Sequence, residues 1–261
     1  MCRAALRTDP GKARRHNEDS VIALPEVGLF AVADGMGGHS AGDYASHRIV
    51  EHLRQTVPAP RLAARVEAVE EAVVNAHREI ADFARRHGQI VGSTVVILLV
   101  HGGYAITLWA GDSRLYRLRA RGLRQMTTDH SHAEALVAAG LMTRPDALHH
   151  PTAHRLTRAV GVNTQGNEDV CPLEADLQPL CRGDRYLLCS DGLGKHVTDR
   201  EIAEVLARGG PETAASRLVD LALERGGLDN VTVVVVDIRP DETPAPEGYP
   251  WPMASGAADR G

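Results

Sequence analysis

The apolar positions along this chain switch between two periods. Short strand-type runs come first: residues 5–9, then 20–24, then Leu29-Phe30-Ala31-Val32-Ala33, with Pro10-Gly11 and residues 25–28 as the turns between them. From Gly42 the period becomes helical. Ala45, Ile49, His52 and Leu53 share a face up to Pro58, and Leu62, Val66, Val69, Val73, Ala76 and Ile80 form a second stripe within residues 61–86. Residues 94–100, 104–110, 115–119 and 123–125 then read as an antiparallel meander with Gly-containing turns. Beyond it the pattern predicts helices over 132–139 and 153–160, strands over 168–173 and 185–190, and helices over 199–207 and 211–225, the first of these two capped by Thr198 or Asp199. A wholly apolar strand, 231–236, closes the folded part. Residues 131–167 break the regular alternation and read as an excursion beside the main body. From Pro240 onward the chain is rich in Pro, Gly and Ala without periodicity, so residues 1–240 are expected to fold and 241–261 to form a disordered tail.

Composition narrows this picture. The 261 residues are 43% hydrophobic but only 3% aromatic, so the core is aliphatic, and the length suits one domain plus a tail. A net charge of −5 and scarce stacking aromatics argue against a nucleic-acid partner. No apolar run approaches the roughly 18 residues that span a bilayer, so no membrane association is expected. Cys2, Cys171, Cys181 and Cys189 show no CxxC spacing and no apolar leader precedes them, which predicts reduced thiols in a cytoplasmic protein. Lysine occurs only at positions 12 and 195.

The candidate chemistry is carried by acids at strand ends. Asp19, Asp34, Asp191 and Asp229 each stand where an apolar run meets a turn, and three of them precede Gly or Asn. The turn at 25–28 reverses the chain, which brings Glu18 and Asp19 beside Asp34. Strands sharing one layered structure would gather all four at one edge. Such a set is oxygen-only, which points to Mg²⁺ or Mn²⁺ rather than Zn²⁺. Without cations the acids would repel one another. Two ions sharing one carboxylate relieve that repulsion and activate a water lying between them, a chemistry suited to in-line attack on phosphorus. Arg14, near the Glu18-Asp19 pair, could receive phosphate oxygens in a bidentate manner. Asp112 and Arg114 read as turn residues. His149, His150 and His154 read as surface residues, because no thiolate accompanies them in a zinc-like set. Ser40 and Ser190 lack the G-x-S-x-G setting of a nucleophile.

In order along the chain stand Gly11-x-x-Arg14-x-x-Asn17-Glu18-Asp19, Val32-Ala33-Asp34-Gly35-Met36-Gly37-Gly38-His39, Gly92-Ser93-Thr94, Gly111-Asp112-Ser113-Arg114, Thr128-Asp129-His130, Leu156-Thr157-Arg158-Ala159-Val160-Gly161, Ser190-Asp191-Gly192-Leu193 and Asp229-Asn230-Val231-Thr232. This ordered set, from about residue 5 to 238, resembles the bacterial branch of the PP2C-type (PPM) metal-dependent serine/threonine phosphatases. The resemblance implies an α+β fold: a four-layer αββα sandwich of two antiparallel sheets flanked by helix pairs, with a flap subdomain at about 131–167. It implies that Asp34 bridges two Mn²⁺ or Mg²⁺ ions, that the Gly35 carbonyl binds one of them and that Asp191 and Asp229 bind the other. Glu18 and Asp19 would hold bound waters, and Arg14 the substrate phosphate. Asp129 and Asp191 would serve a third, weaker ion.

The implied activity is hydrolysis of phosphoserine and phosphothreonine in proteins by a hydroxide between the ions. The chain would act as a cytoplasmic monomer opposing a serine/threonine kinase. A non-catalytic phosphoprotein-binding module on the same fold and a hydrolase of small phosphate esters stand as alternatives. Two departures from the family pattern matter. Some members carry a histidine two residues after the bridging Asp; here Met36 cannot donate a proton, leaving a bound water, or His39, to protonate the leaving group. Some carry a further acid four residues after the Asp191 equivalent, where this chain has Lys195.

Overall fold

A computed structural model describes residues 2–37, 41–56, 58–162 and 173–238. Its strands are β1 (Cys2–Asp9), β2 (Asp19–Leu24), β3 (Leu29–Met36), β4 (Gly92–Ser93), β5 (Val95–His101), β6 (Tyr104–Ala110), β7 (Arg114–Arg119), β8 (Gly122–Gln125), β9 (Glu174–Pro179), β10 (Arg185–Cys189) and β11 (Val231–Ile238). Its helices are α1 (Ala41–Arg54), α2 (Leu62–His87), α3 (His132–Ala138), α4 (Arg144–Leu148), α5 (Asp191–Gly194), α6 (Asp199–Leu206) and α7 (Pro211–Glu224). One sheet has the order β1-β11-β10-β7-β8, the other β2-β3-β5-β6-β9 with β4 beside β3, and every pairing is antiparallel.

The uninterrupted apolar runs have a simple cause: their strands are covered on both faces. In β3 and β5, Leu29, Ala31, Ala33, Val95, Ile97 and Leu99 pack against α1 and α2. The alternate residues Phe30, Val32, Val96 and Leu98 meet Leu115, Tyr186, Leu188, Val234 and Val236 between the sheets. In β11, Val231, Val233 and Val235 turn the other way, toward Ile202, Leu218 and Val219 of α6 and α7. The layers are therefore helix, sheet, sheet, helix, as the resemblance implied.

Local signals set several element ends. Gly88, in the left-handed region at φ 60°, stops α2. Thr198, rather than Asp199, caps α6 in a reciprocal capping box with Glu201.

The excursion departs from its predicted elements. Residues 153–160 are not helical; they form turns and isolated bridges, Val160 with Ser93 and Leu156 with Ser131. Besides α3, the excursion's helix is instead α4, capped by Thr143 and carrying a proline in its first turn. Ala133, Ala147 and Ala153 give this region a small apolar cluster of its own. The strand expected at 168–173 lies almost wholly outside the described residues, and the strand that follows runs Glu174–Pro179.

Candidate metal-binding cleft

The ends of four strands create the cleft. The tight turn after β2 sets Asp19 directly opposite Asp34 in the β2–β3 register. On the other sheet β10 and β11 pair side by side, so Asp191 follows the end of one and Asp229 precedes the start of the other. Arg14, Glu18, Asp34, Gly35, Asp191 and Asp229 all line one cavity of about 640 Å³. Asp19 lies behind it, buried.

Neutral groups hold the inner acids in place. Ser190 Oγ donates to Asp19 Oδ2 at 2.8 Å and accepts from the Thr232 amide at 3.0 Å. The Asp34 amide donates to Thr94 Oγ1 at 3.1 Å, and the Asp34 carbonyl accepts from Ser93 Oγ at 2.9 Å and from the Thr94 amide at 2.8 Å. Asn230 fastens the Arg14-bearing loop. Its Oδ1 accepts from the Glu18 amide at 2.8 Å, and its Nδ2 donates to the carbonyls of Pro10 and His16 at 2.9 and 3.0 Å. Gly35 has to be glycine, since a Cβ there would lie 2.0 Å from the Gly42 carbonyl oxygen and 2.7 Å from that of Glu18.

The charges follow from this packing. Burial pushes the Asp19 carboxyl up to about 6, against hydrogen bonds from Thr232 and Ser190 and with added repulsion from Asp191 and Asp229. Asp34 is displaced far upward for the same reason, burial first and then the neighbouring acids. Burial also raises Glu18. Asp229 goes the other way: burial would raise it, but hydrogen bonds from Lys195 and Arg14 hold it below the ordinary carboxylate range. Arg14 grips Asp229 with two nitrogens, Nε at 2.8 Å from Oδ1 and Nη2 at 3.0 Å from Oδ2. Lys195 Nζ bridges Asp191 Oδ2 at 2.6 Å and Asp229 Oδ2 at 2.7 Å.

The residues fit divalent ions by their chemistry. The donors are oxygen only, Asp19 Oδ1 is buried without a hydrogen-bond partner, and the inner acids repel one another while Arg14, whose charge reaches Asp34, is hydrogen-bonded to Asp229. As they stand, no three carboxylate, histidine or cysteine side chains among the described residues close on one point, and Lys195 and Arg14 serve as the charge partners of Asp191 and Asp229.

Asp112 is the residue that the sequence reading undervalued. It lines the same cavity as Asp34 and Asp191, and burial followed by repulsion from Asp191 and Asp129 pushes it up to about 7. It is a member of the acid cluster and not simply a turn residue. Asp129 is differently engaged: Arg114 donates to both its oxygens, at 3.0 Å through Nε and 2.7 Å through Nη2, and Gln125 adds a further hydrogen bond at 3.0 Å. It still borders a smaller cavity shared with Asp112 and Asp191. His39 lies outside the described residues. His149 and His150 make local hydrogen bonds, to the Pro145 carbonyl and to Thr152.

Comparison with known proteins fits this geometry. Residues 11–136 match the family Protein phosphatase 2C. The serine/threonine protein phosphatase PstP of Mycobacterium tuberculosis is 39% identical over 243 residues, and the match covers 91% of this chain but 45% of PstP, so the chain spans less than half of that relative. The serine/threonine phosphatase stp of Listeria monocytogenes is 33% identical over 244 residues, covering 90% of this chain and 95% of that protein. The crystal structure of the PstP catalytic domain in complex with two manganese ions superposes with a TM-score of 0.79 at 36% identity, covering 91% of this chain and 98% of that one.

Proposed function

Because the chain belongs to the protein phosphatase 2C family, we propose that it is a metal-dependent protein serine/threonine phosphatase acting on phosphoserine and phosphothreonine. The observation that carries the reading is the convergence of Arg14, Glu18, Asp34, Asp191 and Asp229 on one cavity, with Asp19 buried behind. On this reading Asp34, the Gly35 carbonyl, Asp191 and Asp229 would hold the divalent ions, and Glu18 and Asp19 would support them from beside the cavity and behind it. Asp112 and Asp191, with Asp129 at the margin, are the acids available to a further ion. Mn²⁺ or Mg²⁺ bound there would supply Lewis-acid activation of water and neutralise charge developing at phosphorus.

The protein's own groups do the rest. Arg14, with its side chain 54% exposed, holds Asp229 through Nε and Nη2; turned from that pair, its planar fork would bind two phosphoryl oxygens and fix the phosphorus for in-line attack. Thr94, Ser190 and Asn230 keep the acids from shifting as charge builds. Met36 also lines the cleft and has no proton to give, so on this reading a water would protonate the departing serine or threonine, with His39 as the alternative donor. Phosphoproteins made by a partner serine/threonine kinase are the natural substrates on this reading. No helix among the described residues is long and apolar enough to cross a membrane.

The test is an assay of purified protein on a phosphothreonine peptide, with Mn²⁺, with EDTA, and as Asp34→Asn. Turnover is expected only for the wild type with Mn²⁺. Activity surviving both EDTA and the substitution would refute the mechanism.

A further inference from the structure

Ile90 is 80% exposed, yet it does not stand alone. It sits in the link between the Gly88 cap of α2 and strand β4, on the wall of the same cavity that holds Arg14 and Asp34. Met36, Leu156 and Val162 line that cavity with it. Met36 and Val162 close over the β4 backbone: a Cβ on Gly92 would lie 2.7 Å from Val162 Cγ2 and 3.0 Å from Met36 Cε. The one cavity thus carries acids suited to ions and a phosphoryl group and, contributed by β3, the α2–β4 link and the 156–162 segment, four apolar residues, of which Met36 and Val162 meet at Gly92. A single exposed isoleucine means little, but several apolar residues lining a reaction site call for an occupant. At about 640 Å³ the cavity has room well beyond one phosphoryl group.

We propose that Ile90, with Met36, Leu156 and Val162, forms a specificity wall that takes an apolar side chain immediately adjacent to the phosphorylated residue of the substrate. This rests on the phosphatase reading above. A phosphopeptide anchored by its phosphoryl group at Arg14 and the acid cluster must carry its neighbouring residues along the cavity lining, and a leucine or similar side chain would bury its surface against Ile90. Arg155 lines the same cavity and offers the competing possibility, a preference for an acidic neighbour.

The experiment measures kcat/KM with Mn²⁺ on phosphothreonine peptides that differ only in the adjacent residue: leucine, glycine or glutamate, placed before or after the phosphothreonine. p-Nitrophenyl phosphate serves as a probe without peptide. Wild type is expected to favour leucine over glycine by about tenfold, in line with one apolar side chain in a partly open pocket. Ile90→Ser should collapse that ratio toward one, and Ile90→Leu should keep it. A leucine-to-glycine ratio that is the same in wild type and Ile90→Ser, or a preference for glutamate, overturns the wall. Failure to hydrolyse any peptide or p-nitrophenyl phosphate would instead overturn the phosphatase reading, and this inference with it.

Discussion

Lys195→Ala should destabilise the metal-free protein and tighten its binding of divalent ions, both by the same free energy. Lys195 Nζ lies 2.6 Å from Asp191 and 2.7 Å from Asp229, and its side chain is 34% exposed, against 23% and 18% for the two acids. Burial works against the ammonium, but the two carboxylates outweigh it and hold its charge more firmly than in water. Charge-assisted hydrogen bonds contribute about 1.5–3 kcal/mol each and exposed ion pairs about 0–1 kcal/mol. Two contacts at this partial exposure together contribute about 2 kcal/mol. Ions that use Asp191 and Asp229 must first displace Lys195, so whatever it adds to the metal-free fold alone is subtracted from ion binding. Removing it should lower Kd for Mn²⁺ about thirtyfold. A chain of this size moves about 2–4 °C in Tm per kcal/mol, so the variant should melt about 4–8 °C lower in EDTA. Scanning calorimetry in EDTA and in saturating Mn²⁺, with titration calorimetry for Kd, reads both quantities. In Mn²⁺ the variant should melt at or above wild type. An equal loss of Tm in both buffers with unchanged Kd would show that Lys195 only packs, and would sink the competition.

Three further outcomes are expected. Asn230→Ala removes the bonds to the Glu18 amide and to the Pro10 and His16 carbonyls, and should cost about 2–3 kcal/mol in urea unfolding; a loss under about 0.5 kcal/mol would mean that the 11–18 loop is held otherwise. Gly35→Ala drives a Cβ to 2.0 Å from the Gly42 carbonyl oxygen, so α1 must move away from β3; the melting temperature should fall by several degrees, and an unchanged value would contradict the packing. For pH, the folded carboxyls of Asp19 at about 6 and Asp112 at about 7 lie above the unfolded value near 4, and Asp34 is shifted the same way. Between about pH 5 and 7 the folded chain therefore keeps protons that the unfolded chain has released, and the metal-free protein should lose stability as pH rises across that window. A urea midpoint in EDTA that rises from pH 5 to 7 would disprove this.

How far the sequence revealed these features depended on the range of the interaction involved. Asp34 and Asp19 were readable because one follows and the other precedes an apolar run, the two runs being joined by a short turn, and a short turn leaves little choice of register. The doubly covered strands were readable because a strand with two buried faces has no polar alternation to hide. The helix α4 was missed because its five residues are too few to show a period, and only Thr143 and a proline mark it. Residues 153–160 have helix-like apolar spacing, but Val160 is buried where it pairs with Ser93, a contact between positions 67 residues apart in the chain. Asp112 sits in a Gly-Asp-Ser turn whose sequence is the same whether it faces water or other acids. What places it against Asp191 is the pairing of β7 with β10, which no local pattern announces. Lys195 did leave a local sign, since it stands four residues after Asp191 on one helical turn, an ion-pair spacing.

The division of labour among the partners of these acids shows what the cleft is built to do. The inner acid Asp19 and the backbone of Asp34 are fixed by neutral donors and acceptors: Ser190, Ser93, Thr94 and main-chain amides. Neutral partners set geometry without cancelling charge, so the inner negative potential is kept. Cationic partners fall instead on the outer acids Asp191 and Asp229, and they come from two long side chains, Arg14 and Lys195, that keep a third to a half of their surface in solvent. At about 2 kcal/mol for the two Lys195 contacts, such pairs cost less to open than a fully buried pair, at about 3–5 kcal/mol. A site meant only to be stable would place arginine against Asp34 and Asp19, as Arg114 is placed against Asp129 and Arg119 against the fully buried Asp184. The fold has the means to neutralise buried acids and uses them elsewhere. Leaving the inner acids without a directly bonded cation in this cleft, with exchangeable cations at its rim, is the arrangement expected of a site that takes positive charge from ions.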